Sequence, residues 1–500
     1  MEIAVAEPTP KGSTFCPPPN RRFALVAAIL ASSMGFIDGS VVSLAMPAIR
    51  QDLGASLVDA QWISNGYMLF LSSLVLLGGA AGDVFGVRNI FAGGIAFFMV
   101  TSLACALAPD ATMLIVMRAL QGVGAAFMVP GSLALIAKAY PSDTRGHAIG
   151  LWAAFSSLTT AGGPFLGGML LSFGTDWMWR LIFAINVPIG LVALAMLYMR
   201  VPRDRPLEKR RLDLFGAMLA TVGLGLMAWG LTSFGEPAQR LLAPWVWLGV
   251  GAAIFGLFIA WEKRVAMPMV KLELFRSKAF SGANVYTLIL FFAFNAVLFF
   301  LPMTVVTGWG ASEWQASVLV VPLSLFIAAF SGKAGRVADR NGPRLLLTAG
   351  AALVGLSYAG LAATMPLMKM WEVTLPILLL QAAGMAMVVS PLSTAVMQAV
   401  PDSDTGLASG VNNAVARAAG LMAVAALGAV ASLVFVSTMG GAGMAEFGAR
   451  PEAALPPDVE AQRIVATNRA FQAIAAFSAA ICFAAAAIAW VTQPAWKRAD

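Results

Sequence analysis

Long apolar segments alternate with short polar connections along the chain. Each apolar segment contains about 17–25 residues or more, the length that an α-helix needs to cross the hydrocarbon layer of a bilayer. The longest connection, 437–467, is rich in Gly, Ala and Pro and is predicted to be a partly disordered loop, not a domain. The pattern predicts fourteen membrane-spanning helices, over residues 23–49, 60–82, 89–109, 112–137, 146–172, 181–199, 214–235, 244–261, 279–302, 314–332, 345–366, 373–399, 406–436 and 468–491.

The composition excludes a soluble protein. Hydrophobic residues make up 59% of the 500 residues and charged residues only 11%, whereas soluble domains carry about 25% charged residues. The three cysteines and the single histidine are far apart, so no disulfide framework, metal site or catalytic cluster is expected. The net charge of +7 lies in no soluble basic domain, and nucleic acid is therefore not expected as a partner. The sequence predicts an all-α polytopic protein that is not an enzyme and whose first partner is the lipid bilayer.

The distribution of basic residues predicts an orientation. An even number of spans places both termini on the same side of the membrane. If that side is the cytoplasm, 23 of the 32 Lys and Arg residues lie in cytoplasmic segments and seven lie on the opposite side. Because basic residues accumulate on the cytoplasmic side of membrane proteins, both termini are predicted to be cytoplasmic.

Two polar loops carry the same sequence pattern. "GAAGDVFGVRN" follows the second span and "GRVADRNGPR" follows the tenth, and both read G-x-x-x-D-x-x-G-x-R at an offset of 256 residues. The matching residues are Gly79, Asp83, Gly86 and Arg88 in the first loop and Gly335, Asp339, Gly342 and Arg344 in the second. The repeat predicts two parallel six-helix halves separated by two inserted helices, an arrangement typical of secondary transporters.

The predicted organisation has six parts. These are a cytoplasmic tail (1–22), an N-terminal half (23–199), a basic linker with two inserted spans (200–261), a cytoplasmic loop (262–278), a C-terminal half (279–491) and a second cytoplasmic tail (492–500).

Further segments resemble the fourteen-span drug:proton antiporter group of the Major Facilitator Superfamily. They are "DGSVVSLAMP" (38–47), "RALQGVGAA" (118–126), "GGPFLGG" (162–168), "WRLIFAINVPIG" (179–190), "LDLFGA" (212–217) and "MPMVKLELFRSKAF" (267–280). The resemblance implies the major facilitator fold and multidrug efflux, hence antibiotic resistance, by alternating access in a bacterial inner membrane. It also implies protons and a small-molecule substrate as partners, with the proton gradient in place of a cofactor; a periplasmic adaptor protein stays open as a further partner. One departure is Thr159, where the group usually has glycine.

Asp38 is the only charged residue between Arg22 and Arg50, near the middle of the first span. Acidic residues inside membrane spans are costly and usually functional, so we expect Asp38 to bind a proton and a cationic substrate in turn. Arg118 in the fourth span is expected to couple to it electrostatically. Two plainer interpretations stay open: Asp38 could serve only helix packing, and the Arg118 side chain could extend to the outer interface.

The repeated loops and the antiporter motif "GGPFLGG" are candidates for conformational roles. In the resembling group such loops gate one face of the transporter, and Asp83 and Arg88 could form a cytoplasmic latch. The proline of the motif is expected to bend the fifth span, and its glycines to allow close helix packing, which small residues would also give without any antiporter role. The motif residues are Gly163, Pro164, Gly167 and Gly168.

No acidic residue lies near the middle of spans 7–14. The sequence therefore predicts few protons per cycle and export of small amphipathic or lipophilic monocationic compounds. The alternative is a carrier for one specific physiological metabolite. Arg417, in span 13, is assigned no role. The candidate residues for a substrate pocket, chosen as polar residues inside spans, are Asn65, Gln121, Asn186, Asn295 and Gln381.

Overall fold

The computed structural model describes residues 14–172, 176–204, 212–235, 242–440, 445–451 and 454–494, with the side chains of residues 157, 160, 161 and 176 left aside. The described chain forms helices and no β-strand. The helices are α1 (Pro18–Leu53), α2 (Leu57–Phe85), α3 (Val87–Ala106), α4 (Ala111–Ala139), α5 (Ser142–Leu171), α6 (Arg180–Ala184), α7 (Asn186–Arg200), α8 (Leu214–Thr232), α9 (Pro244–Glu262), α10 (Lys278–Met303), α11 (Glu313–Asn341), α12 (Arg344–Thr364), α13 (Leu375–Gln398), α14 (Thr405–Met439) and α15 (Pro457–Thr492).

Thirteen helical segments of the described chain are long and apolar enough to cross a bilayer, which makes this a multi-pass membrane protein. One of them, Trp177–Arg200, contains both α6 and α7. The predicted span 146–172 coincides with α5, which includes three side chains outside the described set and is not among the thirteen. The count of fourteen spans therefore stays a prediction.

The segment predicted as a partly disordered loop, 437–467, contains the ends of two helices. The helix α14 continues to Met439, and α15 begins at Pro457, eleven residues before the predicted start of the last span at 468. In the described part between them, Phe447 is only 1% exposed and packs against Phe300 and Phe435. Composition alone did not predict these aromatic contacts, and residues 441–444 and 452–453 lie outside the described residues. Much of the basic linker (205–211) and the two chain ends (1–13 and 495–500) lie outside the described residues.

The internal repeat is visible in how the helices cross. In the first half, a methyl group added to Gly94 of α3 would lie 3.2 Å from the Gly124 carbonyl of α4. In the second half, Gly350 of α12 and Gly384 of α13 approach each other in the same way, at 2.8 Å. Glycine at both crossings lets the backbones come closer than any other residue would allow.

Two faces of the molecule can be defined from its contacts. The terminal face is the end at which α1 begins and α15 ends, where Gln493 donates to the Ala279 carbonyl at the start of α10. The opposite end is the far face, where Arg50 near the end of α1 contacts Glu446 just before α15. The inserted helices α8 and α9 pack against each other, and α8 also packs against α2 and α14, one helix from each half.

The far face is closed by contacts between the two halves. The buried Arg50 guanidinium donates to the Phe447 carbonyl at 2.7 Å and to Glu446 at 2.8 Å. Arg450, which pairs with Glu313 of its own half at 2.7 Å, also donates to Gln51 Oε1 of the first half at 2.9 Å. Within the described part of the chain, the hydrogen bonds and ion pairs that join the halves lie toward this face. The segment 445–451, the far-face strap, thus seals the side away from the termini.

Candidate functional site

Asp38 and Arg118 form a buried ion pair in the middle of the N-terminal half. Arg118 Nη1 lies 2.6 Å from Asp38 Oδ2, and Gln121 Nε2 donates to Asp38 Oδ1 at 3.1 Å. Arg118 Nη1 also donates to Gln121 Oε1 at 2.6 Å. Both oxygens of the carboxylate therefore accept hydrogen bonds, the arrangement that a buried ionised carboxylate requires.

The guanidinium of Arg118 is enclosed by α2 and α6. Its Nε donates to the Ile63 carbonyl at 3.1 Å. The guanidinium carbon lies 4.3 Å from the centre of the Tyr67 ring and 5.6 Å from that of Phe183, both within cation–π range. This arrangement excludes the interpretation that the Arg118 side chain extends to the interface.

The pair is closed to solvent: Asp38 is 0% exposed and Arg118 is 2% exposed. Removing one partner of such a pair leaves an uncompensated buried charge, which costs about 3–5 kcal/mol. A proton or a ligand can reach Asp38 only if α1, α2 or α4 moves. The site therefore has the properties of a switch between two packed states and not of an open pore.

The glycines of "GGPFLGG" pack α5 between α1 and α11. A methyl group added to Gly167 would overlap Val41 of α1, and one added to Gly168 would overlap Ser317 of α11. Ser317 Oγ of α11 also donates a 2.5 Å hydrogen bond to the Pro164 carbonyl of α5. The motif therefore connects the helix of Asp38 to the other half of the molecule.

Side-chain contacts add to this α1–α5 packing. Gly163 faces Ser40, two residues beyond Asp38, closely enough that a methyl group would sit 2.5 Å from its Oγ. Thr159 Oγ1 and Ser33 Oγ are 3.0 Å apart and share a hydrogen bond. The threonine that departs from the group's glycine thus supplies a link between the same two helices.

The loop after α2 is held by Asp204, which follows α7. Its carboxylate accepts hydrogen bonds from the backbone N–H groups of Val87, at 2.9 Å, and Arg88, at 3.0 Å. Lys138 Nζ lies 3.5 Å from Asp204 and 3.6 Å from Asp83. A carboxylate at a helix N-terminus satisfies free amide groups and favours the helix dipole, so Asp204 anchors the start of α3 at the terminal face.

The structure does not form the predicted latch between Asp83 and Arg88. Arg88 Nη2 donates to the Leu197 carbonyl at 3.3 Å, and its guanidinium lies 4.5 Å from the Tyr198 ring centre. Asp83 instead faces Lys138. The sequence pattern placed both residues in one loop, but the start of α3 turns Arg88 toward α7.

The repeated loop after α11 is built differently. Asp339 is exposed and has no ion-pair partner in the described part of the chain, while the Arg344 guanidinium lies 3.9 Å from the Trp490 ring centre. Gly335 packs so closely on α13 that an added methyl group would overlap Ser390. Gly342 retains the same left-handed backbone as Gly86, with φ of +76° and +90°. The turn is conserved within the chain, but its ionic anchoring is not.

The predicted pocket residues fall in different places. Gln121 belongs to the Asp38 cluster. Asn186 is fully buried and donates to Ser102 Oγ at 2.9 Å, so it joins α7 to α3 and does not line a cavity. Asn65 is buried, and its amide has no described partner, while Gln381 lies beside Tyr358. Only some of the polar residues in spans are thus available to a ligand.

Arg417 lies at the contact between the halves. Its Nε donates to Asn413 Oδ1 at 2.7 Å, and its helix, α14, packs against α2 of the other half. On the neighbouring turn, Gly420 packs against Asn295 of α10 at 3.2 Å from an added methyl group. Asn295 and Arg417 are both partly exposed within the bundle.

Sequence analysis missed three functional candidates: Tyr67, Lys138 and Asp204. Asp204 carried a detectable signal, since it is an acid at the start of a strongly basic segment, "RVPRDRPLEKRR". Tyr67 is one of only five tyrosines in the chain and lies in an apolar span. Lys138 could be recognised only as a basic residue near the end of a helix.

These features define a polytopic membrane carrier: two repeated helical halves, a buried charge pair in one of them, and a closed contact between them at one face. The chain belongs to the Major Facilitator Superfamily, whose family model matches residues 28–425. It is therefore a transporter of that superfamily.

Relatives of this chain include proteins named for antibiotic resistance. It is 32% identical over 414 residues to the tetracenomycin C resistance and export protein of Streptomyces glaucescens, covering 81% of this chain and 74% of the relative. It is 30% identical over 413 residues to the methylenomycin A resistance protein of Bacillus subtilis, covering 82% and 87%. The solved structure of a bacterial homolog of the human lysosomal transporter Spinster aligns over 97% of this chain and 100% of its own, with a TM-score of 0.67 and 16% identity, which supports the fold.

Proposed function

We propose that this protein is a proton-coupled antiporter that exports small amphipathic or lipophilic monocationic compounds from a bacterial cytoplasm across the inner membrane. The observation that carries the proposal is the closed Asp38–Arg118 pair, which buries an ionisable carboxylate near the middle of α1. The names of the relatives, which refer to antibiotic resistance and export, support the direction of transport. The terminal face is then the cytoplasmic face, as the basic residues predict.

The proposed cycle exchanges the partner of Asp38. When a proton neutralises Asp38, Arg118 loses its counter-charge, and the hydrogen bonds that hold α1 to α4 weaken. Movement of α1 is passed to α5 at Gly167 and from α5 to α11 at Ser317, because these helices are in direct contact. The substrate and the proton thereby occupy the site in alternation, the loops at the terminal face accommodate the change, and the proton gradient supplies the energy without a cofactor.

The test is proton release from inside-out vesicles with an acidic lumen. A pH-sensitive dye reports the gradient while lipophilic monocations and neutral amphiphiles are added. Native protein is expected to release protons on addition of substrate, and Asp38→Asn is expected to abolish this release. Asp402→Asn, which removes a carboxylate exposed in the α13–α14 connection, is the matched control and is expected to behave as native.

Two outcomes would contradict the proposal. Proton release that persists in Asp38→Asn would place the coupling at another group. A response to a single metabolite, with none to the amphiphile panel, would favour a narrow-substrate carrier of the same superfamily.

A further inference from the structure

Arg417 is a second charged side chain inside the bundle, and the proposed proton switch does not use it. Gly410, seven residues before it, packs against Leu76 of α2, and the carbonyl of Val424, seven residues after it, accepts a hydrogen bond from Gln61 of α2. Residues seven apart lie on the same face of a helix. Arg417 therefore points from the C-terminal half toward α2, along the line where the two halves meet.

The guanidinium of Arg417 has hydrogen-bond donors that no described residue accepts. Its Nε donates to Asn413, but Nη1 and Nη2 make no hydrogen bond to any described residue. No carboxylate in the described chain forms an ion pair with it. An arginine is effectively always protonated, so this is a full positive charge without a counter-charge.

The depth of Arg417 distinguishes it from residues at the membrane surface. It lies twelve residues from Thr405, the start of α14, which corresponds to about 18 Å along the helix axis. The headgroup layer on one side of a bilayer is only about 5–8 Å thick. By the α2 contacts, Arg417 lies on the order of 8 Å nearer the terminal face than Ile63, whose carbonyl binds Arg118.

The charges inside the bundle do not balance. Asp38 is neutralised by Arg118 at 2.6 Å, and this leaves Arg417 as one excess positive charge on the path from the terminal face to the pair. An uncompensated positive charge inside a bundle favours binding of an anion and disfavours a second cation.

We propose that Arg417 binds an acidic group of the transported compound, so that the preferred substrates are amphipathic carboxylates or acidic phenols. This inference rests on the proposed export function: among small amphipathic compounds it places those with an acidic group first and lipophilic monocations second. The two free Nη groups can donate to both oxygens of one carboxylate, a geometry that arginine provides and lysine does not. The polar side chain of Asn295 on α10 lies against the neighbouring turn of α14, at Gly420.

The experiment compares two probes that share one ring system and differ in charge. Fluorescein is anionic at neutral pH, and tetramethylrhodamine methyl ester is cationic; binding of each to purified full-length protein in detergent is measured by fluorescence polarisation. The variants are Arg417→Gln and Arg417→Lys. Arg276→Gln, which removes an exposed charge in the segment before α10, is the matched control.

Native protein is expected to bind fluorescein more tightly than the cationic dye. Arg417→Gln is expected to weaken fluorescein binding by about tenfold or more and to leave the cationic dye unchanged or more tightly bound. Arg417→Lys is expected to lie between them, because it retains the charge but loses the paired donors. Arg276→Gln is expected to match the native protein.

The proposal is overturned if native protein prefers the cationic dye, if it fails to bind fluorescein, or if fluorescein binding is the same in Arg417→Gln. The comparison of dyes on native protein stands even if Arg417→Gln does not fold, and Arg417→Lys supplies a second variant. Because binding is measured without a proton gradient, failure here leaves the antiport experiment untouched. Equally, a failure of coupling at Asp38 leaves the dye comparison valid.

Discussion

The two halves share one architecture but differ in their polar chemistry. In the N-terminal half, Arg118 and Gln121 on α4 bind Asp38. At the equivalent positions of α13, the C-terminal half has Leu378 and Gln381, both buried and without a charged partner. The glycine crossings that define the repeat are retained in both halves. The repeat therefore preserves packing, while the ionisable switch exists in only one copy.

The loops at the terminal face show the same asymmetry. The first loop is anchored by Asp204 and Lys138, whereas Asp339 in the second is exposed and lacks such partners in the described chain. The first half therefore carries both the buried charge pair and the anchored loop, and the second half contributes Arg417 to the contact between the halves.

The largest effect is expected when the first half is made to resemble the second. Arg118→Leu copies the Leu378 side chain and leaves Asp38 buried without a cation, which should destabilise the protein by about 3–5 kcal/mol and abolish substrate-triggered proton release. Thermal unfolding in detergent and the vesicle assay measure the two effects. Adding Asp38→Asn should recover much of the stability but none of the coupling; a double variant as unstable as Arg118→Leu alone would show that the ion pair is not the source of the loss.

An intermediate effect is expected at the repeated loops. Asp204→Asn weakens the cap on α3 and removes the partner of Lys138, and should cost about 1–2 kcal/mol, since a charge at a partly buried helix N-terminus contributes up to about 2 kcal/mol. Asp339→Asn, its matched comparison in the other half, should change stability by less than about 0.5 kcal/mol. The thermal unfolding midpoints of the two variants measure this difference in stability. Equal midpoints would contradict the proposed difference between the two loops.

The smallest effect is expected where charges of the two halves meet at the far face. The Glu446 side chain is 57% exposed, so its bond to Arg50 is screened by water and contributes about 0–1 kcal/mol. Arg50 keeps its hydrogen bonds to the Phe447 and Ala55 carbonyls in Glu446→Gln. The unfolding midpoint should therefore barely move and should depend little on salt; a clear drop would mean that the ion pair, and not the buried strap, closes this face.

Much of the fold could be predicted from the sequence because membrane spans need long apolar segments, and because the repeated loops fix the relation between the halves. The approach of Arg118 to Asp38 was also predictable in outline, since each is an isolated charge in an apolar span. Asp204 could not be assigned to the α3 start, because it lies 116 residues from Arg88 and its segment is dominated by basic residues. The burial of Phe447 in the far-face strap could not be predicted, because a Gly- and Ala-rich composition does not reveal contacts with distant phenylalanines.

The far-face strap also bears on how the protein is made. Arg50 contacts Glu446, which lies 396 residues further along the chain. At a synthesis rate of about 5–20 residues per second, the ribosome needs about 20–80 s to supply this partner. During that interval the first half enters the membrane with its far end unsealed, and Arg50 has only local contacts such as the Ala55 carbonyl. Sealing of the far face is thus one of the last steps of biogenesis, and a product truncated before residue 445 would be inserted without its lid.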